Sequence, residues 1–168
     1  MIPDQEVEID EEKFAELISE MEKYAWSRLL SYLTYSERSK FECRNYLENL
    51  PLRSNIADKL IKRAISLNYI NESRLCEIYI GDLQEKSKSF LEIKNKLQAK
   101  GVNRGIIEKA LDQFYDPNKE ESILKELINK VERKYSHLPV RTRKEKILNY
   151  LTRKGFSYWK VKDLINNE

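Results

Sequence analysis

The strongest chemical signal in the sequence is a concentration of positive side chains near the C-terminus. Residues 133–162 hold ten Lys or Arg and a single acid, Glu145, whereas residues 1–24 hold nine acids and two bases. The net charge of +3 for the whole chain hides this asymmetry. A local excess of cations attracts anions, so we expect the C-terminal part of the chain to contact an anionic partner.

The first group of these cations lies at the start of a helix that the apolar pattern predicts over residues 141–151. Cations at this end of a helix are unfavourable, because the macrodipole places partial positive charge there. This local cost indicates an anion supplied from outside the chain. The members of the group are Arg141, Arg143, Lys144 and Lys146.

A second group of cations alternates with aromatic residues at the end of the chain. It consists of Arg153, Lys154, Lys160 and Lys162, interleaved with Tyr150, Phe156, Tyr158 and Trp159. Cations bind backbone phosphates and aromatic rings stack on bases, so the group suits single-stranded DNA. The same cations also suit acidic patches on a protein. In a third interpretation, Phe156 and one of its two aromatic neighbours are core residues and the charges form a solvated face.

A third group of cations belongs to the middle of the chain. Its members avoid the apolar stripe of the predicted helix there, so we expect them to be exposed. If stacked helical units curve, they extend the basic surface of the C-terminal part along one concave side. They are Lys94, Lys96, Lys100 and Arg104.

Catalysis is not expected from the remaining residue types. The single histidine, His137, lies in a polar break, so no site with several histidine ligands can form. Cys43 and Cys76 are not part of a CxxC motif, and no glycine-rich phosphate-binding motif occurs. We therefore predict a binding protein that is not an enzyme and needs no metal or cofactor.

The element that positions the middle cations is a helix, a glycine stop and a second helix over residues 89–111. The first helix carries an apolar stripe formed by Phe90, Ile93 and Leu97. Gly101 is expected to end it in a left-handed conformation, which glycine adopts without a Cβ clash. Asn103 is expected to cap the helix that follows.

This element has two further copies in the chain. The anchors Leu47, Leu97 and Leu151 are 50 and 54 residues apart. Gly155 repeats the position of Gly101 in the last copy. Three copies at about fifty residues predict a repeat protein in which each unit completes the core of its neighbour.

Composition and periodicity together predict an all-α fold. Four Gly, four Pro and 35% charged residues, with abundant Leu, Lys and Glu, favour helices. We predict an elongated tandem array of three three-helix repeats over residues 13–71, 72–116 and 117–168. Residues 1–12 are predicted to form a flexible acidic arm, because like charges repel and bury little apolar area.

The sequence contains no apolar run of the kind that a membrane helix or a secretory signal requires. Cys43 and Cys76 lie inside helical stripes, where small buried thiols of a reducing compartment are expected. We therefore predict a cytoplasmic protein without membrane contact. A redox-sensitive cysteine pair is the alternative, and it requires the two thiols to meet in space.

The ordered set of repeats and turns resembles the RecX family of bacterial recombination regulators, whose members are tandem arrays of three-helix repeats. The resemblance covers about residues 22–166. The segments that carry it are Ala25 with Leu29-Leu30 leading to Arg38-Ser39, Leu67-Asn68-Tyr69-Ile70-Asn71 running into Leu75-Cys76, Lys100-Gly101-Val102, and Leu151-Thr152-Arg153-Lys154-Gly155-Phe156-Ser157. Three departures are Asn68, which replaces a usual glycine, Leu75-Cys76, which replace a usual Phe-Ala pair, and the absence of a glycine from residues 86–90.

The resemblance implies binding to the RecA recombinase filament on DNA. RecX-like proteins lie along the groove of that filament and inhibit its ATPase, strand-exchange and coprotease activities. A regulator of homologous recombination, DNA repair and the SOS response is therefore expected, with the twelve cations above as contacts to the filament or to DNA. We expect a monomer. The alternatives are a protein that binds single- or double-stranded DNA directly through the basic third repeat, and a generic helical adaptor.

Overall fold

The computed structural model describes residues 10–51 and 54–167, and in this part of the chain it contains nine α-helices and no β-strand. The predicted all-α class is thereby confirmed. The helices are α1 (Glu11–Thr34), α2 (Lys40–Glu48), α3 (Ser54–Ser66), α4 (Glu72–Glu85), α5 (Phe90–Ala99), α6 (Arg104–Phe114), α7 (Pro117–Lys134), α8 (Val140–Arg153) and α9 (Tyr158–Asn167).

The helices are grouped into two compact units. The first unit, Met1–Asn71, contains α1 to α3, and the second unit, Glu72–Glu168, contains α4 to α9. The boundary between the units coincides with the predicted end of the first repeat. The division of the whole chain into three repeats stays a prediction.

The core of the first unit is a single apolar cluster to which all three of its helices contribute. Its buried residues are Ala25, Leu29, Cys43, Leu47, Ile56, Ala57, Leu60, Ile61, Ala64 and Ile70. Around it, the ring of Tyr32 stacks on Tyr46 with centroids 4.2 Å apart, and the Arg38 guanidinium lies 4.6 Å from the Tyr32 ring centroid.

The second unit contains two apolar clusters, one for each consecutive set of three helices. The cluster of α4 to α6 comprises Leu75, Cys76, Ile80, Leu83, Ile93, Leu97, Val102, Ile107, Ala110 and Leu111. The cluster of α7 to α9 comprises Ile123, Leu124, Ile128, Val131, Ile147, Leu151, Phe156, Val161 and Ile165. Phe90, which the sequence predicts in the middle stripe, is 40% exposed and contacts the Tyr115 ring edge-on at 5.1 Å.

The two cysteines are buried, each in the apolar core of its own unit. Burial, and to a smaller extent the neighbouring Glu72 carboxylate, raises the pKa of the Cys76 thiol to about 11. The thiol is therefore protonated at neutral pH and unreactive as a nucleophile. This agrees with the expected role of both cysteines as small core residues.

A side-chain cap determines where the first helix begins. The Asp10 carboxylate accepts a hydrogen bond from the backbone N–H of Lys13 at 2.8 Å, so α1 begins at Glu11. Glu11 and Glu12 consequently form the first turn of a helix instead of the end of the predicted arm. Residues 1–9 of that arm lie outside the described residues.

Within the described residues, a left-handed residue follows the end of four helices. Gly101 has a φ of 71° and Gly155 a φ of 85°, as the glycine-stop pattern predicts. Asn68 takes the same conformation with a φ of 58°. Ser87, with a φ of 55°, does so in the corner between α4 and α5, where the sequence has no glycine.

A buried glutamine joins the end of α4 to the start of α7. The Gln84 side-chain amide donates to the Asp116 carbonyl at 3.0 Å and accepts from the Asp116 backbone N–H at 3.1 Å. Gln84 is 2% exposed, and both polar ends of its amide are satisfied. The amide thus takes the place of a short backbone ladder between two segments that are 32 residues apart.

A buried serine joins the start of α5 to the end of α8. The Ser89 hydroxyl accepts a hydrogen bond from the Glu92 backbone N–H at 3.2 Å, which caps α5. It donates to the Lys154 carbonyl at 2.8 Å, which satisfies a free carbonyl at the end of α8. The next residue, Gly155, packs so closely that a Cβ there would lie 2.7 Å from the Ser89 hydroxyl oxygen.

Two compositional expectations concern membranes and metals. Within the described ranges, no helix combines the length and the apolar character needed to cross a membrane. The same residues include no group of three or more Cys, His, Asp or Glu side chains placed to hold a metal ion.

We predict that Gly155→Ala destabilises the protein by at least about 2 kcal/mol, because Ala is strained at this φ and its Cβ would contact Ser89. Gly81→Ala is the matched control. Gly81 is exposed inside α4 with nothing within 4 Å of an added Cβ, so this change should stabilise by up to about 1 kcal/mol. Urea unfolding of both variants measures the two changes in the free energy of unfolding. Equal changes would contradict the requirement for a glycine at position 155.

We also predict that Ser89→Ala lowers the free energy of unfolding by about 2–3 kcal/mol, since it removes both a helix cap and the partner of the Lys154 carbonyl. Asn103→Ala, which removes an exposed cap with a single local bond, should cost only about 1 kcal/mol. Thermal unfolding followed by circular dichroism compares the two. A loss at Ser89 no larger than that at Asn103 would show that the long-range bond contributes nothing.

Candidate anion-binding site

All twelve cations that the sequence singles out belong to the second unit, on α5, α6, α8, α9 and the turns between them. They differ in what their charged groups contact. Some are paired with groups of the same unit, and others lie beside aromatic rings.

The cations at the start of α8 have partners inside the protein. Arg141 is an exposed residue whose Nε lies 3.4 Å from the Glu145 carboxylate, one turn along the helix. Arg143 Nε lies 3.3 Å from the Glu132 carboxylate of α7, although this pair lacks hydrogen-bond geometry. These pairs reduce the free-energy cost of placing cations at a helix N-terminus. The position of these cations is therefore weaker evidence for an external anion than the sequence alone suggests.

Lys144 has a structural role that the sequence does not reveal. Its ammonium donates a hydrogen bond to the Ile165 carbonyl at 2.7 Å. That carbonyl belongs to the last turn of α9, where the macrodipole favours a cation. Lys144 therefore fixes the end of α9 against α8.

Lys160 is bound to a buried carboxylate. Its ammonium lies 2.5 Å from Glu120, and the Glu120 side chain is only 5% exposed. Burial raises the pKa of the Tyr115 phenol, and the Glu120 carboxylate raises it further. The positive charge of Lys160 offsets the free-energy cost of burying the Glu120 carboxylate.

Two of the four middle cations share an acidic partner. Arg104 Nε lies 2.7 Å from the Glu108 carboxylate, and Lys94 lies 4.0 Å from the same group. The hydrogen bond from Arg104, and then its charge, lowers the pKa of Glu108. Lys100 lies 5.1 Å from the centroid of the Tyr79 ring. The sequence predicts that all four middle cations are exposed, but only Arg104 is; Lys94, Lys96 and Lys100 are half-buried.

The other predicted cations lie mainly beside aromatic rings. Lys146 is 5.8 Å from the Tyr135 centroid, and Lys154 is 5.4 Å from that of Tyr150. Arg153 instead donates to the Asn149 carbonyl of its own helix at 3.2 Å. Such cation–aromatic contacts at the surface are weak, so these ammonium groups stay available to an external anion.

The last helix exposes two aromatic side chains. Trp159 is 73% exposed and Tyr158 is 42% exposed, and their rings meet edge to face at 5.2 Å. Lys162 lies 5.5 Å from the Trp159 centroid and 5.7 Å from that of Tyr158. Phe156, in contrast, is a core residue at 3% exposure. The sequence interpretation that placed Phe156 in the core is correct, whereas neither of its aromatic neighbours is buried.

The structure also forms a basic cleft that the sequence does not indicate. The lysine cleft has a volume of about 510 Å³ and lies where α4, α7 and α8 end. Its residues are Lys86, Ser87, Lys88, Leu127, Lys130, Val131, Lys134, Tyr135, Tyr150 and Lys154. Only Lys154 belongs to the predicted set. The i, i+4 spacing of Lys130 and Lys134 on α7 is the one local signal that could have drawn attention to it.

The fold and these surfaces define an all-α protein with a basic second unit suited to anionic partners. No protein-family model matches the chain. The regulatory protein RecX of Streptococcus uberis is 31% identical to it over 147 residues, which is 86% of this chain and 55% of that protein. The regulatory protein RecX of Streptococcus agalactiae is also 31% identical, over 92% of this chain and 57% of that protein.

Solved structures agree with these relatives. The crystal structure of a regulatory protein RecX matches with a TM-score of 0.83 at 27% identity, covering 96% of this chain and 80% of that one. The crystal structure of RecX from Lactobacillus salivarius matches with a TM-score of 0.82 at 28% identity, covering 89% and 96% respectively. The chain belongs to the RecX family. It spans about half of the length of the curated relatives that it matches.

We predict that Lys144→Met lowers the free energy of unfolding by about 1–3 kcal/mol, because it leaves the Ile165 carbonyl without its charged donor. Lys146→Met removes the same charge from an exposed position of α8, so it should change the stability by less than about 0.5 kcal/mol. Denaturant unfolding at two salt concentrations measures both variants. Equal losses of unfolding free energy in the two variants would show that Lys144 stabilises the protein only through its charge and not through its hydrogen bond to Ile165.

Proposed function

We propose that this protein regulates a recombinase by binding the RecA filament assembled on DNA and inhibiting its activity. The observation that carries the proposal is the similarity to proteins named regulatory protein RecX, which extends over 86% to 92% of this chain in two relatives. The resemblance identified in the sequence implies the same partner. The role would place the protein in the control of homologous recombination, DNA repair and the SOS response.

The charge of the second unit supports a partner that presents both protein and DNA. A RecA filament on DNA is an anionic assembly because of its nucleic acid, and exposed cations accelerate association with such a target. Arg141 and Lys146 are exposed cations on α8 that could serve in this way. Their effect would appear mainly in the association rate and in its salt dependence.

The exposed aromatic pair of α9 supports a protein contact within the same interaction. Trp is enriched among the residues that dominate protein interfaces, and a Trp that is 73% exposed is available for burial by a partner. Tyr158 and Lys162 lie beside the indole ring of Trp159. These three residues form a patch with an aromatic centre and a cation at its edge. This composition suits a docking contact to a protein surface.

Direct DNA binding is a second candidate function, and the lysine cleft is the observation that favours it. The two functions differ in their response to RecA. A regulator of the filament binds RecA-coated DNA far more tightly than naked DNA and reduces ATP hydrolysis. A DNA-binding protein binds both equally and loses affinity steeply as salt rises.

We predict that the protein inhibits the ATPase of RecA on single-stranded DNA, and that Trp159→Ala raises the concentration needed for half-inhibition by about tenfold or more, as for an interface anchor. Tyr35→Ala is the matched control, because Tyr35 is an 86% exposed aromatic residue of the first unit. It should change the half-inhibitory concentration by less than about twofold.

Two results would contradict the proposal in different ways. An absence of inhibition by the unmodified protein would remove RecA as the regulated partner. If the two aromatic substitutions had equal effects on inhibition, RecA would still be the partner, but α9 would not be the docking contact. Circular dichroism melting of both variants distinguishes lost contacts from lost folding.

A further inference from the structure

The second unit consists of two sets of three helices that do not share an apolar core. The middle set is α4 to α6 and the last set is α7 to α9, and each has its own apolar cluster. Among the described residues, no member of one cluster belongs to the other. Apolar burial stabilises each set separately, so the angle between the two sets depends on other contacts.

Polar contacts fix the two sets to each other beside their chain connection. The Gln84 amide of the middle set forms two hydrogen bonds with the backbone of Asp116, the residue that precedes the last set. The neighbouring Glu85 forms an ion pair with Lys119 of α7. Because these contacts adjoin the covalent connection, they provide a pivot about which the last set can turn.

A single hydrogen bond joins the two sets at a place where no chain connection runs. The Ser89 hydroxyl at the start of α5 donates to the Lys154 carbonyl at the end of α8, over 2.8 Å. A hydrogen bond between neutral groups is a weak restraint, because water replaces either partner when the bond breaks. This bond therefore resembles a latch, which holds the last set when formed and lets it turn when broken.

The lysine cleft lies between the same two sets. Lys86, Ser87 and Lys88 form its wall on the middle set, and residues of α7, α8 and the turns after them form its wall on the last set. A gap of about 510 Å³ shows that the side chains of the two sets do not interlock here. Close packing resists rotation, so this unfilled boundary leaves room for the two walls to move.

Positive charge on both walls opposes the latch. Lys88 pairs with the Glu92 carboxylate at 2.8 Å. Four lysines of the cleft have no carboxylate partner among the described residues, and only the first of them lies on the middle set: Lys86, Lys130, Lys134 and Lys154. The C-terminal ends of α4, α7 and α8 offset part of this charge, since each macrodipole ends in about half a negative charge. The like charges that remain push the walls apart.

We propose that the boundary between the middle set and the last set is a charge-sensitive joint, closed by the Ser89–Lys154 hydrogen bond and opened by repulsion between the lysines of the cleft. The last set turns about the contact between Gln84 and Asp116. Salt screens the repulsion over a distance that falls from about 30 Å at 0.01 M to about 3 Å at 1 M. The joint therefore closes as the ionic strength rises.

The joint changes the spacing of two surfaces that a partner could contact. The exposed Trp159 is on α9 of the last set, whereas the exposed Arg104 is on α6 of the middle set. Rotation of one set against the other alters the distance between these side chains without unfolding either apolar cluster. The charge around the cleft thereby controls which spacing the protein presents.

The test measures the distance between two spin labels, one on each set, by pulsed electron paramagnetic resonance. The labels are attached at Gln98→Cys on α5 and Asn149→Cys on α8, two exposed positions outside the cleft. Cys43 and Cys76 are buried and do not compete for the label. At 0.01 M salt we expect two distances, and at 1 M the population of the open one should fall by about twofold or more. Neither RecA nor DNA is present, so the result is independent of the proposed function.

Two variants of the labelled protein should shift the joint in opposite directions. Ser89→Ala removes the latch and should raise the ratio of open to closed protein by about 2- to 12-fold, the range for one neutral hydrogen bond. Lys130→Gln/Lys134→Gln keeps the latch and should reduce the open population at 0.01 M to about its value at 1 M. The matched control is Lys109→Gln/Lys125→Gln, which removes the same charge from exposed positions outside the cleft and should leave both populations unchanged.

Three results would overturn the proposal. The first is a single distance that responds neither to salt nor to Ser89→Ala. The second is an equal shift in the two double variants, because general charge and not the cleft would then set the distance. The third is an open population in Lys130→Gln/Lys134→Gln at 0.01 M equal to that of the unmodified protein, and this comparison remains decisive if Ser89→Ala does not fold.

Discussion

The hydrogen bond from the Ser89 hydroxyl to the Lys154 carbonyl is the constraint on which the shape of the lysine cleft depends. It joins two segments that are 65 residues apart and at the same time caps α5. Lys86 and Lys88 belong to the turn that leads into the serine, and Lys154 carries the acceptor. One buried hydroxyl therefore sets the distance between two walls of the lysine cleft. The same contact requires a glycine at position 155, because the Cβ of any other residue there would clash with Ser89.

The cations of the second unit serve two different purposes, and their partners distinguish them. Lys144 and Lys160 are bound to a helix end and to a buried carboxylate, so their charge is used within the fold. In the part of the chain that the structure describes, Lys88 of the cleft pairs with Glu92, whereas its other four lysines have no carboxylate partner. The number of positive charges in the sequence is consequently a poor measure of binding capacity, since an ammonium group that is held by an internal partner binds a ligand only in competition with that partner.

Membership of the RecX family and the two surfaces of the second unit are compatible with a partner made of protein and DNA together. Trp159 and Tyr158 form an exposed aromatic patch of the kind that proteins bury at interfaces. The lysine cleft offers charge and aromatic faces of the kind that a nucleic-acid strand uses. A protein that uses both would recognise a nucleoprotein filament better than either component alone, because linked contacts reinforce each other.

The sequence by itself determined the features that depend on neighbouring residues. Apolar spacing predicted the helices, the glycine stops predicted the left-handed turns at Gly101 and Gly155, and the comparison of copies placed Phe156 in the core. Only the tertiary structure decided which cations are free. The partners of Lys144 and Lys160 are 21 and 40 residues away, and the cleft gathers lysines from three separate helix ends. Such contacts leave no local periodicity in the chain, because packing of distant helices, and not backbone geometry, brings them together.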